Sequence, residues 1–353
     1  MKEKVICGLQ QVGIGVKDAN ESWKWYREHF GIDIPIVADE GVAERMLPYT
    51  GGKPQPRFAI LAISLQSGGG LEIWEPRGRE LNYPKEQPKL GDLGIFIAKI
   101  KSRDVAATYE EFSRKGLRLL SKPTLSFAGI KHFYMVDPWN NLLEVEEDNY
   151  VYAPSKTFLT GGTPGAVLGV SDMDRSIAFY GKIVGYDKVR ADQTGVFEDI
   201  KSIPGGDRRV RRVMLERSKL GEGPLADLMG PSHLELVQAL DVPGTKIFEN
   251  RFWGDPGFIH LCFDVRNMDA VEADCQAIGH PFVCDSGVDF DMGDANGHFT
   301  YIEDPDGTLI EFVETFRIPV IKKLGFFIDF KKRDDHKPLP RWMVKALRFL
   351  RVS

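Results

Sequence analysis

The sequence predicts an α+β chain of four β-α-β-β-β modules. One strand-helix signature occurs twice. Gln11-Val-Gly-Ile-Gly-Val-Lys-Asp18 leads into Ser22, Trp25 and Tyr26 and stops at Gly31; Gly165-Ala-Val-Leu-Gly-Val-Ser-Asp172 leads into Ser176, Phe179 and Tyr180 and stops at Gly185. A fixed-offset repeat of this kind decides the architecture before any single element is read. A second pair of segments behaves alike: Asp137-Pro138 and Asp304-Pro305 are followed by Asn or Gly and then by Glu144 and Glu311. Pro presets φ, and Asp or Asn bonds to nearby backbone, so each reads as a tight turn that releases a strand. Apolar residues also flank Glu72 in Gly70-Leu-Glu72-Ile-Trp and Glu235 in His233-Leu-Glu235-Leu-Val. Four strands therefore carry a Glu among apolar neighbours.

The elements follow in order. Module one has strands over 9–17, 57–66 and 70–75 with a helix over 20–30. Module two has strands over 93–99, 131–136 and 142–147 and a helix over 102–115. Module three places its helix at 173–184 and its later strands at 209–217 and 233–239. Module four places its helix at 267–278 and strands at 298–303 and 308–315. Gly31, Gly116, Gly185 and Gly279 mark helix ends, where a left-handed cap is cheapest for glycine. Pro-containing stretches from Glu75 to Leu90 and from Asn149 to Pro164 read as connectors. The expected domains are 1–150 (modules one and two), 151–316 (modules three and four) and a basic extension, 317–353.

Composition narrows the function classes. A chain of 353 residues has room for two full cores, and its net charge of -5 gives no nucleic-acid footprint. No apolar run approaches the ~20 residues of a spanning helix, so stable membrane insertion is not expected. Cys7, Cys262, Cys275 and Cys284 lack metal-type spacing and suit buried free thiols, which with the unremarkable N-terminus points to a cytoplasmic protein.

The repeat, with its Ser22/Tyr26 and Ser176/Tyr180 helices and its Asp-Pro strands, resembles the vicinal oxygen chelate superfamily of glyoxalase I, extradiol dioxygenases and bleomycin-resistance proteins. The resemblance covers residues from about 6 to 316. It implies two cup-shaped mixed sheets with helices packed outside, and metal ligands on the first and last strands of each module. Carried over, the first-strand positions are Gln11, Gly94, Gly165 and His260, and the last-strand positions are Glu72, Glu144, Glu235 and Glu311. Pairing the first module with the last gathers Gln11, Glu72, His260 and Glu311, a glyoxalase I-like set, and leaves Glu144 facing Glu235 in a cup that is empty or structural. Sequential pairing instead splits the ligands into Gln11, Glu72, Glu144 and Glu235, His260, Glu311. First-with-last pairing is favoured because it collects both missing ligands in one cup. The bland readings are a core histidine at His260 and a strand-bonding amide at Gln11. Carboxylates on core-facing strands, however, are costly unless paired or metal-bound.

One imidazole, two carboxylates and an amide oxygen suit Zn²⁺, Ni²⁺, Co²⁺ or Mn²⁺ and fit Fe less well. Such a centre polarises a carbonyl and stabilises the negative charge left when a neighbouring C–H is deprotonated. By resemblance, Glu311 is the base and Glu72 can return the proton. The expected function is a glyoxalase-type lyase or isomerase acting on a small molecule. The alternatives are a ring-cleaving dioxygenase, which would need a His where Gly165 stands, and a non-catalytic antibiotic binder. A four-module chain can complete its cups as a monomer or as a homodimer.

Three features lie outside the ligand set. The long segment from Ala191 to Ser232 reads as a lid or binding loop, with Arg208, Arg209, Arg211 and Arg212 either anchoring a substrate anion or lying on a wet strand face. His298 is expected near the ligands. After Thr315 the chain turns basic, and Leu339, Trp342, Met343, Ala346, Leu347 and Leu350 form a helical apolar stripe, expected to dock on its own domain rather than on a membrane.

Overall fold

The computed structural model describes residues 3–288, 290–292, 295–321 and 326–352. Module one comprises β1 (Val5–Gly15), α1 (Ala19–Phe30), β2 (Ile34–Ala43), β3 (Gln55–Ile63) and β4 (Gly70–Pro76). Module two comprises β5 (Gly94–Ser102), α2 (Val105–Arg114), the short β6 (Arg118–Leu119) and β7 (Thr124–Leu125), β8 (Lys131–Val136) and β9 (Leu142–Glu147). Module three comprises β10 (Gly165–Gly169), α3 (Met173–Val184), β11 (Lys188–Gly195), β12 (Val210–Glu216), α4 (Ala226–Met229) and β13 (His233–Ala239). Module four comprises β14 (Gly257–Arg266), α5 (Met268–Ala277), β15 (Cys284–Asp285), β16 (Phe290–Met292), β17 (Ala295–Glu303) and β18 (Leu309–Ile321). The C-terminal segment adds β19 (Phe326–Asp329) and α6 (Arg341–Lys345).

The repeated Asp and Gly of the sequence are the two ends of one helix. Asp18 accepts from the Glu21 N–H at 2.9 Å and Asp172 from the Arg175 N–H at 3.0 Å, each satisfying an orphan donor of the first turn. Gly31 and Gly185 close those helices at φ 68° and 75°, a region that costs other residues a Cβ clash.

The sheets join modules that are far apart in sequence. A ten-stranded sheet runs β15-β17-β18-β14-β1-β4-β3-β2, with β16 and β19 beside it. Its seam is the antiparallel ladder of β1 and β14, in which Gln11 faces Cys262 and Gly13 faces His260. The first and last modules therefore share one sheet. Modules two and three form a five-stranded and a four-stranded sheet whose first strands, β5 and β10, lie side by side. The sheets therefore group the first module with the last, and not the first with the second.

Turns and helices bind the modules in the other order. The Tyr26 hydroxyl donates to Asp137 Oδ2 at 2.5 Å, and Tyr180 donates to Asp304 Oδ2 at 2.8 Å. Each helix tyrosine of the repeat thus locks onto the Asp-Pro turn of the next module. Strand alternation sends Val12, Ile14, Leu71 and Ile73 to the helix side, into one core shared by all four modules, and turns Gln11 and Glu72 to the opposite face.

The C-terminal segment docks on the body. Leu339, Met343, Val344 and Leu347 are buried with Val5, Cys7, Ile34 and Val37. Trp342, placed on the apolar stripe by the sequence, is instead 65% exposed, and Val344 takes the buried position, because α6 spans only five residues before the chain tightens to 3-10 geometry. No helix among the described residues is long and apolar enough to cross a membrane. Replacing buried Leu339 by Ala is expected to cost about 2–4 kcal/mol in urea unfolding.

Candidate metal centre

The seam of the large sheet brings four donors together. β4 runs parallel to β1 with Glu72 beside Gly13, and β18 runs parallel to β14 with Glu311 beside Cys262. Because β1 and β14 are themselves antiparallel, the two halves are related by a pseudo-twofold axis, and the ligand position of each first strand lies two residues before the partner of its Glu. That rule selects Gln11 in β1 and His260 in β14. His260 Nε2 lies 3.0 Å from Glu72 Oε2 and 3.2 Å from Glu311 Oε2, and Gln11 Nε2 is 3.4 Å from Glu311 Oε2.

These contacts are close in distance but poorly aligned. Gln11 Oε1, Glu72 Oε2 and both His260 ring nitrogens are buried with no hydrogen-bond partner of good geometry. An orphaned buried polar atom costs about 1–3 kcal/mol, and since an imidazole turns only one nitrogen to a given centre, His260 Nε2, on the side of the carboxylates, and Glu72 Oε2 are the orphans that could share a partner there. Donor atoms of Glu72, His260 and Glu311 all lie within 4.8 Å of one another. That spacing fits donors about 2.1 Å from a shared centre, and the mixture of one nitrogen with oxygens fits a divalent cation. The Gln11 amide turns Nε2 toward Glu311, and a half-turn of the amide would bring its oxygen to that side instead.

The electrostatics agree with that geometry. Burial alone would lower the His260 pKa, but Glu311 and then Glu72 outweigh it and hold it up to about 9. Burial, followed by the charge of Glu72, raises the Glu311 carboxyl above its usual range. The site carries more negative charge than one imidazole balances.

Two residues that the sequence reading did not single out shape the site. A Cβ on Gly13 would fall 2.2 Å from His260 Cε1, so glycine there makes room for the ring. The buried Tyr301 sets its ring edge on His260, with centroids 5.4 Å apart at 87°, and its hydroxyl bonds Glu311. Tyr301 stands three residues before Asp304 as Tyr134 stands before Asp137, so the repeat held a signal for it.

The second cup is built on the same register and filled differently. Lys99 lies beside Glu144 and Val167 beside Glu235. The first-strand positions are therefore Ile97 and Gly165; Gly94, proposed from the sequence, lies three residues out of register. At the centre of this cup the fully buried Lys99 Nζ contacts Glu144, Glu146 and Glu235 at 2.5, 3.3 and 3.5 Å. Arg212 Nε pairs with Glu235 at 2.7 Å and Arg212 Nη1 with Asp199 at 2.8 Å, while His132 Nδ1 lies 2.6 Å from Glu144. An ammonium and a guanidinium hold the positions where a metal's charge would sit. Burial would raise the Glu144 carboxyl, but Lys99 and His132 outweigh it and hold it below the usual range. Glu146 is lowered as well, by His233 and Lys99 against burial.

The other flagged residues separate. Arg212 belongs to this buried network, whereas Arg211 is a surface residue paired with Asp192 and Asp174, and Arg208 bonds the Leu90 carbonyl. His298 borders the cleft above the four donors but commits Nε2 to Asp285 Oδ1 at 2.6 Å. That cleft is partly open to solvent, and Gln11, Glu72 and Glu311 lie on its floor. The segment expected to be a lid contributes Leu225, Leu228 and Met229 to its wall.

The family model of the Glyoxalase/Bleomycin resistance protein/Dioxygenase superfamily matches residues 8–145 and 164–312. The chain belongs to that superfamily. No curated protein matches it in sequence. In fold it is similar to glyoxalase I from Zea mays, at 17% identity and a TM-score of 0.52, covering 88% of this chain and 92% of that one. It is also similar to a "putative dioxygenase" from Bacillus subtilis, at 12% identity and a TM-score of 0.56, covering 88% and 86%. At these identities the likeness is one of fold.

Two measurements distinguish the two cups of this superfamily member. Elemental analysis of protein purified without added metal is expected to find divalent metal in wild type and in Glu235→Ala, and to find it lost from Gln11→Ala. Lys99→Met leaves buried carboxylates without their cation and is expected to cost about 3–5 kcal/mol at neutral pH with no change in metal content. Glu144 and Glu146 have depressed folded pKa values, so their pairing stabilises above about pH 4.3 and is lost as pH falls through the folded values. The stability gap between wild type and Lys99→Met should therefore shrink between pH 7 and pH 3, as read by denaturant midpoints.

Proposed function

We propose that this chain is a metal-dependent lyase or isomerase of glyoxalase type, moving a proton next to a carbonyl on a small substrate held through two oxygens. The observation that carries the reading is the convergence of Glu72, His260 and Glu311 beside Gln11, with Gln11, Glu72 and Glu311 on the floor of one cleft. These four residues would hold Zn²⁺, Ni²⁺, Co²⁺ or Mn²⁺. When bound, such an ion supplies Lewis acidity toward a carbonyl oxygen and offsets negative charge as it develops.

The remaining chemistry belongs to the protein. Glu311 accepts the proton from the carbon beside the carbonyl. The Tyr301 hydroxyl fixes the orientation of Glu311. Glu72 flanks the seam from the other side, on the strand beside β1, and in this reading returns the proton to the adjoining carbon. The apolar wall keeps bulk water away from the carbanionic state. Ring-cleaving dioxygenase chemistry uses two imidazoles and a carboxylate, whereas here one imidazole stands among oxygen donors.

The test is hydrogen exchange at the substrate carbon. Metal-loaded wild type in D₂O should wash the α-hydrogen out of an aryl α-hydroxyketone, followed by ¹H NMR. Glu311→Gln should slow that exchange by about 10²–10⁴-fold. Unimpaired exchange in the variant removes Glu311 from the role of base.

A further inference from the structure

The cleft over the four donors has a polar floor and an apolar wall, and part of that wall comes from outside the two modules that build the floor. Val37 and Leu61 rise from β2 and β3, and Ile318 from β18. Leu228 and Met229 lie on α4, which belongs to module three, and Leu347 lies in the C-terminal segment. Most polar side chains on this wall are already spent within the protein. Gln10 Nε2 donates to Asp264 Oδ2 at 3.2 Å and Gln10 Oε1 accepts from Cys262 Sγ at 3.4 Å; Thr315 Oγ1 donates to the same Asp264 oxygen at 3.2 Å. His298 is held by Asp285. The Asn296 Oδ1 acceptor alone remains without a partner on this wall among the described residues. No Lys or Arg lines the cleft among the described residues.

We propose that the substrate is an uncharged molecule with an apolar body, aryl or branched alkyl, joined directly to its pair of oxygens, and that Leu228, Met229 and Leu347 set that preference. The inference rests on the metal-centred reading given above. An anionic body, such as a carboxylated thiol adduct, would meet hydrocarbon where it needs a cation. Desolvating such a charge without a partner is the costliest event a pocket can impose. An apolar body gains from the same wall, as one-ended polar pockets generally favour.

Hydroxamates present two adjacent oxygens on bodies of choice, so they separate the wall from the floor. Affinities of acetohydroxamate, benzohydroxamate and 4-carboxybenzohydroxamate for the metal-loaded, full-length protein are read by isothermal titration calorimetry. Benzohydroxamate should bind at least tenfold tighter than each of the other two. Leu228→Asp should weaken benzohydroxamate at least tenfold and leave acetohydroxamate within threefold, which also shows that the variant is folded. If that variant does not fold, the wild-type series decides. Less than tenfold preference over acetohydroxamate, or equal binding of the carboxylated ligand, overturns the substrate class while the metal centre stands. Failure of all three ligands to bind, or absence of metal from the protein, overturns the metal-centred reading and this inference with it.

Discussion

The antiparallel ladder between β1 and β14 is the constraint on which the rest of the molecule depends. It unites strands separated by most of the chain and opposes Gln11 to Cys262 and Gly13 to His260. Each strand then brings its own parallel neighbour, β4 or β18, with one glutamate. Four donors meet because two half-sites are rotated onto each other, and Gly13 leaves space for the imidazole opposite it. A side chain at that position would push the ring away from the centre. The ladder needs help, since closing so long a loop costs entropy before any contact repays it. Tyr26–Asp137 and Tyr180–Asp304 supply that help by coupling neighbours in sequence, so strands join first with last while helices join in order.

The two cups show one scaffold solving one problem in two ways. Each buries glutamates on matching strands, and buried carboxylates require positive charge. In the cup of modules two and three the chain provides it: Lys99 and Arg212 face four carboxylates, Glu144, Glu146, Glu235 and Asp199. In the cup of modules one and four a single imidazole faces two carboxylates, and the imbalance appears as orphaned atoms and as a His260 pKa held up near 9. The first arrangement is closed by its own side chains, so it holds structure. The second is left open to a cleft, so it can hold chemistry.

Much of this was legible in the residues, and the gaps have physical causes. Helix ends and Asp-Pro turns are local features, and Asp18, Gly31, Asn140 and Gly307 each do what their backbone chemistry demands; the last two sit at φ 67° and 90° in equivalent turns. The Glu positions were legible because a carboxylate between apolar neighbours is anomalous on a strand. The strands β2 and β11 were not, since β11 is an exposed edge of polar residues and β2 ends in alternating exposed positions. Gly94 was mistaken for a ligand position because register is fixed by cross-strand pairing, which spacing within one strand does not reveal. Nothing in the sequence marks Lys99, and Arg212 reads there as a substrate anchor or a wet-face cation, because only the meeting of modules two and three buries them.

The division of labour across the cleft follows from how the chain is assembled. Donors on paired strands are held by ladders on both sides, so their separations are fixed by the sheet itself. The wall over them is drawn from α4, the edge strand β2 with its neighbour β3, and the docked C-terminal segment. None of these carries a donor, and each can vary in side-chain size without altering the register that places Gln11 opposite Cys262. A floor set by β-ladders and a wall set by appended segments let the reaction stay constant while the body of the substrate changes. For that reason the C-terminal extension, which contributes no donor, belongs to the functional site: Leu347 packs into the core that it shares with Val37 and at the same time faces the cleft.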